Sequence, residues 1–259
     1  MDGKDRIGLE AVISDLDGTL VGVSNEYCLK LFEEVFRTIG IIEKNKNLDE
    51  KTAFDLFYNP SREQIIREFY DKKSMTFERE SFWNSYHIIE KRKDFLEMRI
   101  RDLKVYDDVG ILKDFSDKGI KIGIITQSQE EIAFAEIEKI EKEIGLKIKR
   151  DFVIHNSSYA FVKPDYRVLE KMIEKMEAKK DIAYIGDSET DLLLINNFHQ
   201  QSKIKETYRE INVLPFIVLR EYLYNNEGLL HKNFLEYKFE FSIIKNLIEI
   251  KDKIGKIEE

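Results

Sequence analysis

Residues that staple or punctuate a chain are scarce here: the 259 residues include one cysteine, three prolines and one tryptophan. Cys28 alone can form no intrachain disulfide, which removes the support an oxidising compartment would need. Long apolar runs are missing too. No stretch approaches the roughly 18 apolar residues of a membrane helix, and the opening MDGKDRIGLE is charged where a signal peptide would carry an apolar core. A cytoplasmic, untargeted protein with no membrane partner is therefore expected. Positive charge is in deficit as well, with 42 Lys and Arg against 50 Asp and Glu for a formal charge of -8. A broad nucleic-acid surface needs the opposite sign, so no nucleic-acid partner is expected.

What is present is globular in kind: 42% hydrophobic and 36% charged residues, with helix formers in excess, can build a sizeable core. Five short β-rich runs stand out: LEAVIS (9–14), KIGIIT (121–126), DFVIH (151–155), IAYIG (182–186) and PFIVL (215–219). They are continuous rather than alternating, as strands covered on both faces are. A sixth, YKFEF (237–241), alternates like an edge strand. Helical patterns lie between most of them; in 130–145, for example, Ile132, Ala135, Ile137, Ile140 and Ile144 share a face and Gly145 offers a stop. Alternating strands and helices predict an α/β fold, a Rossmann-like parallel sheet with helices on both faces.

About a hundred residues between the first two runs carry no strand signal. Three helical stretches are expected there. One follows Ser24, with Cys28, Leu31, Phe32, Val35, Phe36 and Ile39 at helical spacing and Gly40 closing it. Another begins at Pro60 and Ser61, with Ser61 and Gln64 as a capping box ahead of Ile65, Ile66 and Phe69. The last runs from about Glu78 to Ile100. A crossover within a sheet needs far fewer residues, so the segment reads as an inserted helical domain over 21–104, leaving 1–20 and 105–259 as the core.

In open α/β sheets ligands bind beyond the carboxyl ends of the strands. There the chain turns polar: Asp15, Asp17, Gly18 and Thr19 after the first run, Thr126 and Gln127 after the second, and Gly186, Asp187, Ser188 and Asp191 after the fourth. Carboxylates on neighbouring strands, roughly 5 Å apart, repel by a few kcal/mol even in a moderately polar medium. A positive charge between them is called for, and all-oxygen ligands select a hard cation such as Mg²⁺. Lys163, extended before Pro164 where a helix is expected to start, offers a second positive charge. Gly18 and Gly186 would let backbone approach a ligand closely, and Thr19, Thr126 and Ser188 would supply hydroxyl donors. The sum suits a phosphoryl group.

DLDGT, an apolar run ending in Thr126, the Lys163-Pro164 pair and GDSETD at 186–191 resemble, in order, the four motifs of the haloacid dehalogenase superfamily. The insert between the first two is similar in placement to the cap of the phosphoglycolate-phosphatase-like branch. The resemblance implies a phosphatase acting on a small phosphorylated metabolite. Asp15 would be the nucleophile that forms an aspartyl-phosphate, and Asp17 the general acid and base whose backbone carbonyl also binds Mg²⁺. It further implies that Asp187 ligates the metal, that Asp191 orders the metal loop, that Thr126 binds a phosphoryl oxygen and that Lys163 neutralises charge. Gly18, Thr19 and Gln127 complete the phosphate-binding set, although many relatives carry Asn where Gln127 stands. A carboxylate at position 17 favours phosphate-ester chemistry over dehalogenation or phosphonate cleavage.

Plainer readings stand beside these. Asp187 and Asp191 could cap the following helix. Phe82, Trp83 and Tyr86 could be core of the insert, with Trp83 or Tyr86 alternatively lining a substrate cleft. Arg62, Arg67, Lys72 and Lys73 could face a substrate's distal end or simply solvate a helix, and His87 and His155 lack a second ligand at metal spacing. Two other functions fit the same residues: a phosphomutase, and a regulatory module that binds phosphate without turnover.

Overall fold

The computed structural model describes residues 8–43, 47–59, 62–203, 205, 208, 210–220 and 239–258. The chain divides into two compact units, one of Met1–Val21 with Val105–Glu259 and one of Gly22–Lys104.

The first unit is an α/β Rossmann-like fold. Its sheet strands are β1 (Leu9–Ser14), β4 (Lys121–Ile125), β5 (Val153–Ile154), β6 (Asp181–Gly186), β7 (Asn212–Val218) and β8 (Ser242–Ile244). The order is β5-β4-β1-β6-β7-β8, and every neighbouring pair is parallel. The chain moves outward from β1 through β4 to β5, then crosses to the other side of β1 for β6. The carboxyl ends of β1, β4 and β6 therefore meet where the winding direction reverses, which is where such sheets bind ligands.

Alternation along β1 sends Ala11 and Ile13 into one core with Val168, Leu169, Leu194, Ile195 and Phe198, from α8 (Arg167–Met176) and α9 (Glu189–Ser202). Val12, equally buried, faces the opposite side of the sheet. Helices α6 (Ile111–Asp117) and α7 (Glu130–Ile144) complete the layers. α7 buries Ile132, Ile137 and Ile140 as its spacing predicts, with Ala133 in place of Ala135, and stops at Gly145 in the left-handed region. At Gly123 an added methyl would lie 3.0 Å from the sulfurs of Met172 and Met176, so β4 and α8 pack at glycine distance. A helix α10 spans Glu249–Glu258.

Two expectations shift in position. DFVIH yields strand only at Val153–Ile154, because Arg150–Phe152 coils into a 3₁₀ turn. The edge strand is Ser242–Ile244 rather than 237–241: Phe239–Phe241 is not strand, and Tyr237 and Lys238 lie outside the described residues.

The second unit is helical: α1 (Asn25–Thr38), α2 (Glu50–Tyr58), α3 (Arg62–Lys72), α4 (Arg79–Glu90) and α5 (Lys93–Asp102). Two-residue strands β2 (Val21–Gly22) and β3 (Lys104–Val105) pair at the positions where the chain leaves and re-enters the first unit. Ser24 caps α1, accepting from the Tyr27 N–H at 3.1 Å, and α1 buries Tyr27, Cys28, Leu31, Phe32, Val35 and Phe36. Each large apolar side chain so buried contributes roughly 1.5–3 kcal/mol.

Five helices replace the expected three among the described residues. α2 buries only Ala53 and Leu56, too few for a visible period, although Asp49 caps it through the Thr52 N–H at 2.8 Å. The stretch 78–100 breaks at Arg92, which turns extended and pairs with Glu34 and Asp94. Neither glycine nor proline marks that break. The expected capping box of α3 rests on Ser61, outside the described residues.

Phe82 and Tyr86 are core, ringed by Phe32, Phe36 and Phe77. Arg62 lies over the half-buried Trp83, Arg67 over Phe77 and Lys72 over Phe69, while Lys73 reaches Glu43. No described helix is long and apolar enough to cross a membrane.

Candidate active site

Asp15 follows β1 directly and its N–H donates to the Ile185 carbonyl of β6 at 2.8 Å, which places it beside Asp187. Gly18 turns the chain in the left-handed region at φ 78°, a conformation that favours glycine. The turn closes with Gly18 N–H on the Val21 carbonyl and Thr19 N–H on the Leu16 carbonyl, so both amides are already engaged. The Thr19 hydroxyl, fully buried, stands 3.3 Å from Asp15 Oδ2 and 3.3 Å from Asp187 Oδ1.

Lys163, 5% exposed, donates its ammonium to Asp15 Oδ1 and, at 2.9 Å, to Asp191 Oδ1. The peptide bond to Pro164 is cis. The helix expected at Pro164 starts at Arg167 instead, because the Asp165 carboxylate takes the Arg167 N–H at 3.0 Å. Carbonyls of the intervening loop are held elsewhere: Gln127 Nε2 donates to Lys163 O and Asn197 Nδ2 to Pro164 O, both at 3.0 Å. Gln127 thus braces the lysine loop.

Asp187 and Asp191 divide the labour at the end of β6. Asp191 is fully buried, and its Oδ2 accepts from the Ser188 N–H (3.2 Å) and hydroxyl (2.6 Å), making a capping box on α9. Its Oδ1 accepts from Lys163 and from the Tyr184 hydroxyl at 2.8 Å. Four donors thus surround Asp191, whereas Asp187 has the Thr19 hydroxyl beside it. Gly186 serves that arrangement: an added methyl would fall 2.4 Å from Asp191 Cγ, so the glycine makes room for Asp191 rather than for a ligand. Ser188 likewise commits its hydroxyl to Asp191.

Thr126, buried after β4, accepts the Ser128 N–H at 3.0 Å and keeps its own hydroxyl proton to donate. Ser128 in turn donates its hydroxyl to Asp17 Oδ2 at 2.5 Å. Asp15, Asp17, Thr19, Thr126, Lys163, Asp187 and Asp191, scattered along most of the chain, are thereby drawn together. Tyr184 and Ser128 are the partners that motif reading misses. Tyr184 faces the same side of β6 as the core, and only the register puts its hydroxyl on Asp191.

Single carboxylate oxygens of Asp15, Asp187 and Asp191 all lie within 4.8 Å of one another, a buried group able to hold a cation. Burial pushes Asp15 up to about 7; Asp191 and Asp17 add to the rise, and Lys163 opposes it. Burial, then the charges of Asp15 and Asp191, hold Asp187 well above the usual carboxylate range. Burial works against charge on Asp191 as well, but Lys163, Ser188 and Tyr184 outweigh it and hold the group low. For Lys163 the two aspartates outweigh burial and keep the ammonium charged. The site carries more negative charge than it can settle by itself.

With that geometry in place, the chain matches the haloacid dehalogenase-like hydrolase family over residues 12–198. The chain belongs to that family. It is 30% identical over 191 residues to a Clostridium perfringens protein named "Putative pyrophosphatase PpaX", covering 73% of this chain and 80% of that one. The fold is shared with a haloacid dehalogenase hydrolase, family IA, variant 3, of Entamoeba histolytica: TM-score 0.66, 18% identity, 96% of this chain and 100% of that one covered. It is shared as well with CbbY of Rhodobacter sphaeroides, solved in complex with phosphate: TM-score 0.59, 13% identity, 93% and 96% covered. This haloacid dehalogenase-like hydrolase is accordingly an enzyme with a buried aspartate cluster at the switch point of its sheet.

Proposed function

We propose that this hydrolase is a Mg²⁺-dependent phosphatase that removes phosphate from a small monoester through an aspartyl-phosphate on Asp15. One observation carries the reading: three carboxylates cluster at the end of the central strands, and a single ammonium, Lys163, pairs with two of them, Asp15 and Asp191. Asp15 and Asp187 resist carrying both their charges there, and their all-oxygen donor set fits a hard divalent cation. Asp15, Asp187 and the Asp17 carbonyl would hold it. Asp191, ringed by donors, would position Lys163 and the loop rather than bind metal directly. Mg²⁺ bound there supplies charge neutralisation for the phosphoryl oxygens and the nucleophile.

The chain's own groups do the rest. Lys163 holds Asp15 Oδ1 and offsets the charge of the incoming dianion, leaving Oδ2 to attack phosphorus in line with the leaving oxygen. The Thr126 hydroxyl donates to a phosphoryl oxygen. Asp17, steered by Ser128, protonates the leaving oxygen and then takes a proton from the water that hydrolyses the aspartyl-phosphate. The helical unit Gly22–Lys104 would serve as the cap that excludes water and selects the leaving group. The relative's name adds pyrophosphate to the substrates worth testing.

The test is a panel of phosphorylated sugars, phosphorylated short acids, nucleotides and pyrophosphate, with Mg²⁺ and with a chelator. Release of inorganic phosphate from at least one, lost on chelation, is expected. No release from any would remove the reading, and phosphate returned to an isomerised sugar would replace it with a mutase.

A further inference from the structure

Arg220, just beyond the carboxyl end of β7, belongs to none of the four motifs, yet it is 7% exposed and reaches one of them. Its Nε and Nη2 both donate to the Thr19 carbonyl, at 3.1 and 2.5 Å, and its Nη1 donates to Asp108 Oδ2 at 2.8 Å. The guanidinium lies 4.0 Å from the Tyr106 ring centroid, and Asp108 Oδ2 also takes the Leu247 N–H at 2.8 Å. Thr19 is the residue whose hydroxyl stands between Asp15 Oδ2 and Asp187 Oδ1. Its carbonyl and hydroxyl hang from one residue, so fixing the first anchors the backbone from which the second reaches the two carboxylates.

We propose that Arg220 is a positioning residue for phosphoryl transfer, clamping Thr19 from behind so that Asp15 and Asp187 keep their mutual register. The inference rests on the reading of Asp15 as nucleophile. The work needs a guanidinium: two parallel N–H groups converge on one oxygen while a third meets the carboxylate that anchors the fork. Stacking on the half-buried Tyr106 and pairing with Asp108 hold the fork still, and a buried guanidinium engaged on a ring, a carboxylate and a carbonyl together is a built arrangement rather than a solvated arginine. Within the same unit Tyr106 N–H donates to the Leu20 carbonyl at 3.1 Å. The clamp therefore joins residues just before the chain departs for the helical unit to residues just after it returns.

The test uses the full chain with p-nitrophenyl phosphate and Mg²⁺, comparing Arg220→Ala and Arg220→Lys with wild type. A misplaced nucleophile loop should lower kcat of Arg220→Ala roughly 10²-fold, while KM stays within about threefold because the groups that bind phosphate remain. Arg220→Lys keeps the charge without the fork and should lose most of that rate. Millimolar guanidinium should restore part of kcat to Arg220→Ala and none to Arg220→Lys. A folded Arg220→Lys with wild-type kcat, or an Arg220→Ala whose loss appears only in thermal stability and is not rescued, would overturn the clamp. Should Arg220→Ala fail to fold, Arg220→Lys decides alone. Failure of the phosphatase reading is distinguishable, because then wild type itself turns over neither this ester nor the wider panel, and the clamp falls with it.

Discussion

In the helical unit a buried Glu90 pairs with a buried Arg99; at the strand ends three carboxylates cluster about one lysine that pairs with two of them. Both sets are buried, so desolvation alone does not tell them apart. Arg99 Nη1 donates to Glu90 Oε1 at 2.8 Å, Tyr86 adds its hydroxyl at 3.2 Å, and the guanidinium lies over the rings of Tyr27 and Phe57. Charges cancel there, and the pair ties α4 to α5 across the break at Arg92. The aspartate cluster does not cancel. At about 4.8 Å and an effective dielectric of about 20, each carboxylate pair repels by about 3 kcal/mol, and one ammonium beside three ionised carboxylates leaves the cluster with a net negative charge. A balanced buried pair holds a fold together; an unbalanced one stands ready for a cation and an anionic substrate.

The sharpest break of that comparison is Asp15→Asn. Removing one surplus charge should leave the folded chain at least as stable as wild type without metal, yet lower phosphate release by roughly 10⁴-fold or more. Turnover within tenfold of wild type, by the factor-of-ten measure of about 1.4 kcal/mol, would deny Asp15 the nucleophile's role. Arg99→Met should do the opposite kind of damage. It strands Glu90 without its partner and should cost about 3 to 5 kcal/mol in urea denaturation; a loss below about 1 kcal/mol would mean the pair is no anchor.

A finer contrast lies in pH. Asp15 is raised in the folded state to about 7, above its unfolded value of 3.8, so it keeps a proton that the unfolded chain releases. Its contribution to metal-free stability is present at low pH and lost as pH rises through about 7. Asp187 acts in the same direction. Mg²⁺ bound there would have to displace the Asp15 proton below that pH and would find it gone above it. The stabilisation by Mg²⁺, read as a rise in melting temperature, should therefore be larger at about pH 8 than at about pH 6, the free energy behind it differing by up to about 1.4 kcal/mol per pH unit for one proton. Equal shifts at both values would show that no site proton competes with the cation.

Much of this was legible in the chain. Continuous apolar runs at 9–14, 121–125 and 182–186 become β1, β4 and β6, since period and length alone mark strands covered on both faces. Ser24 and Gly40 bracket α1 by local capping that needs no partner elsewhere. Asp15, Thr126, Lys163, Asp187 and Asp191 were visible because each follows a recognisable element in order. α2 and the break at Arg92 were not, because the first buries only two side chains and the second is set by ion pairs to Glu34 and by the Glu90–Arg99 bond across the turn.

The sequence by itself determined which residues would stand at the carboxyl ends of the strands, because side-chain period and chain punctuation are local properties. Only the tertiary structure decided what those residues touch. Gly186 turned out to shelter Asp191, Ser188 to cap a helix, Gln127 to hold the lysine loop, and Tyr184, Ser128 and Arg220 to support the site from positions that carry no motif. Such contacts join residues as far apart as Thr19 and Arg220, and their existence depends on strand order and register that no local pattern contains.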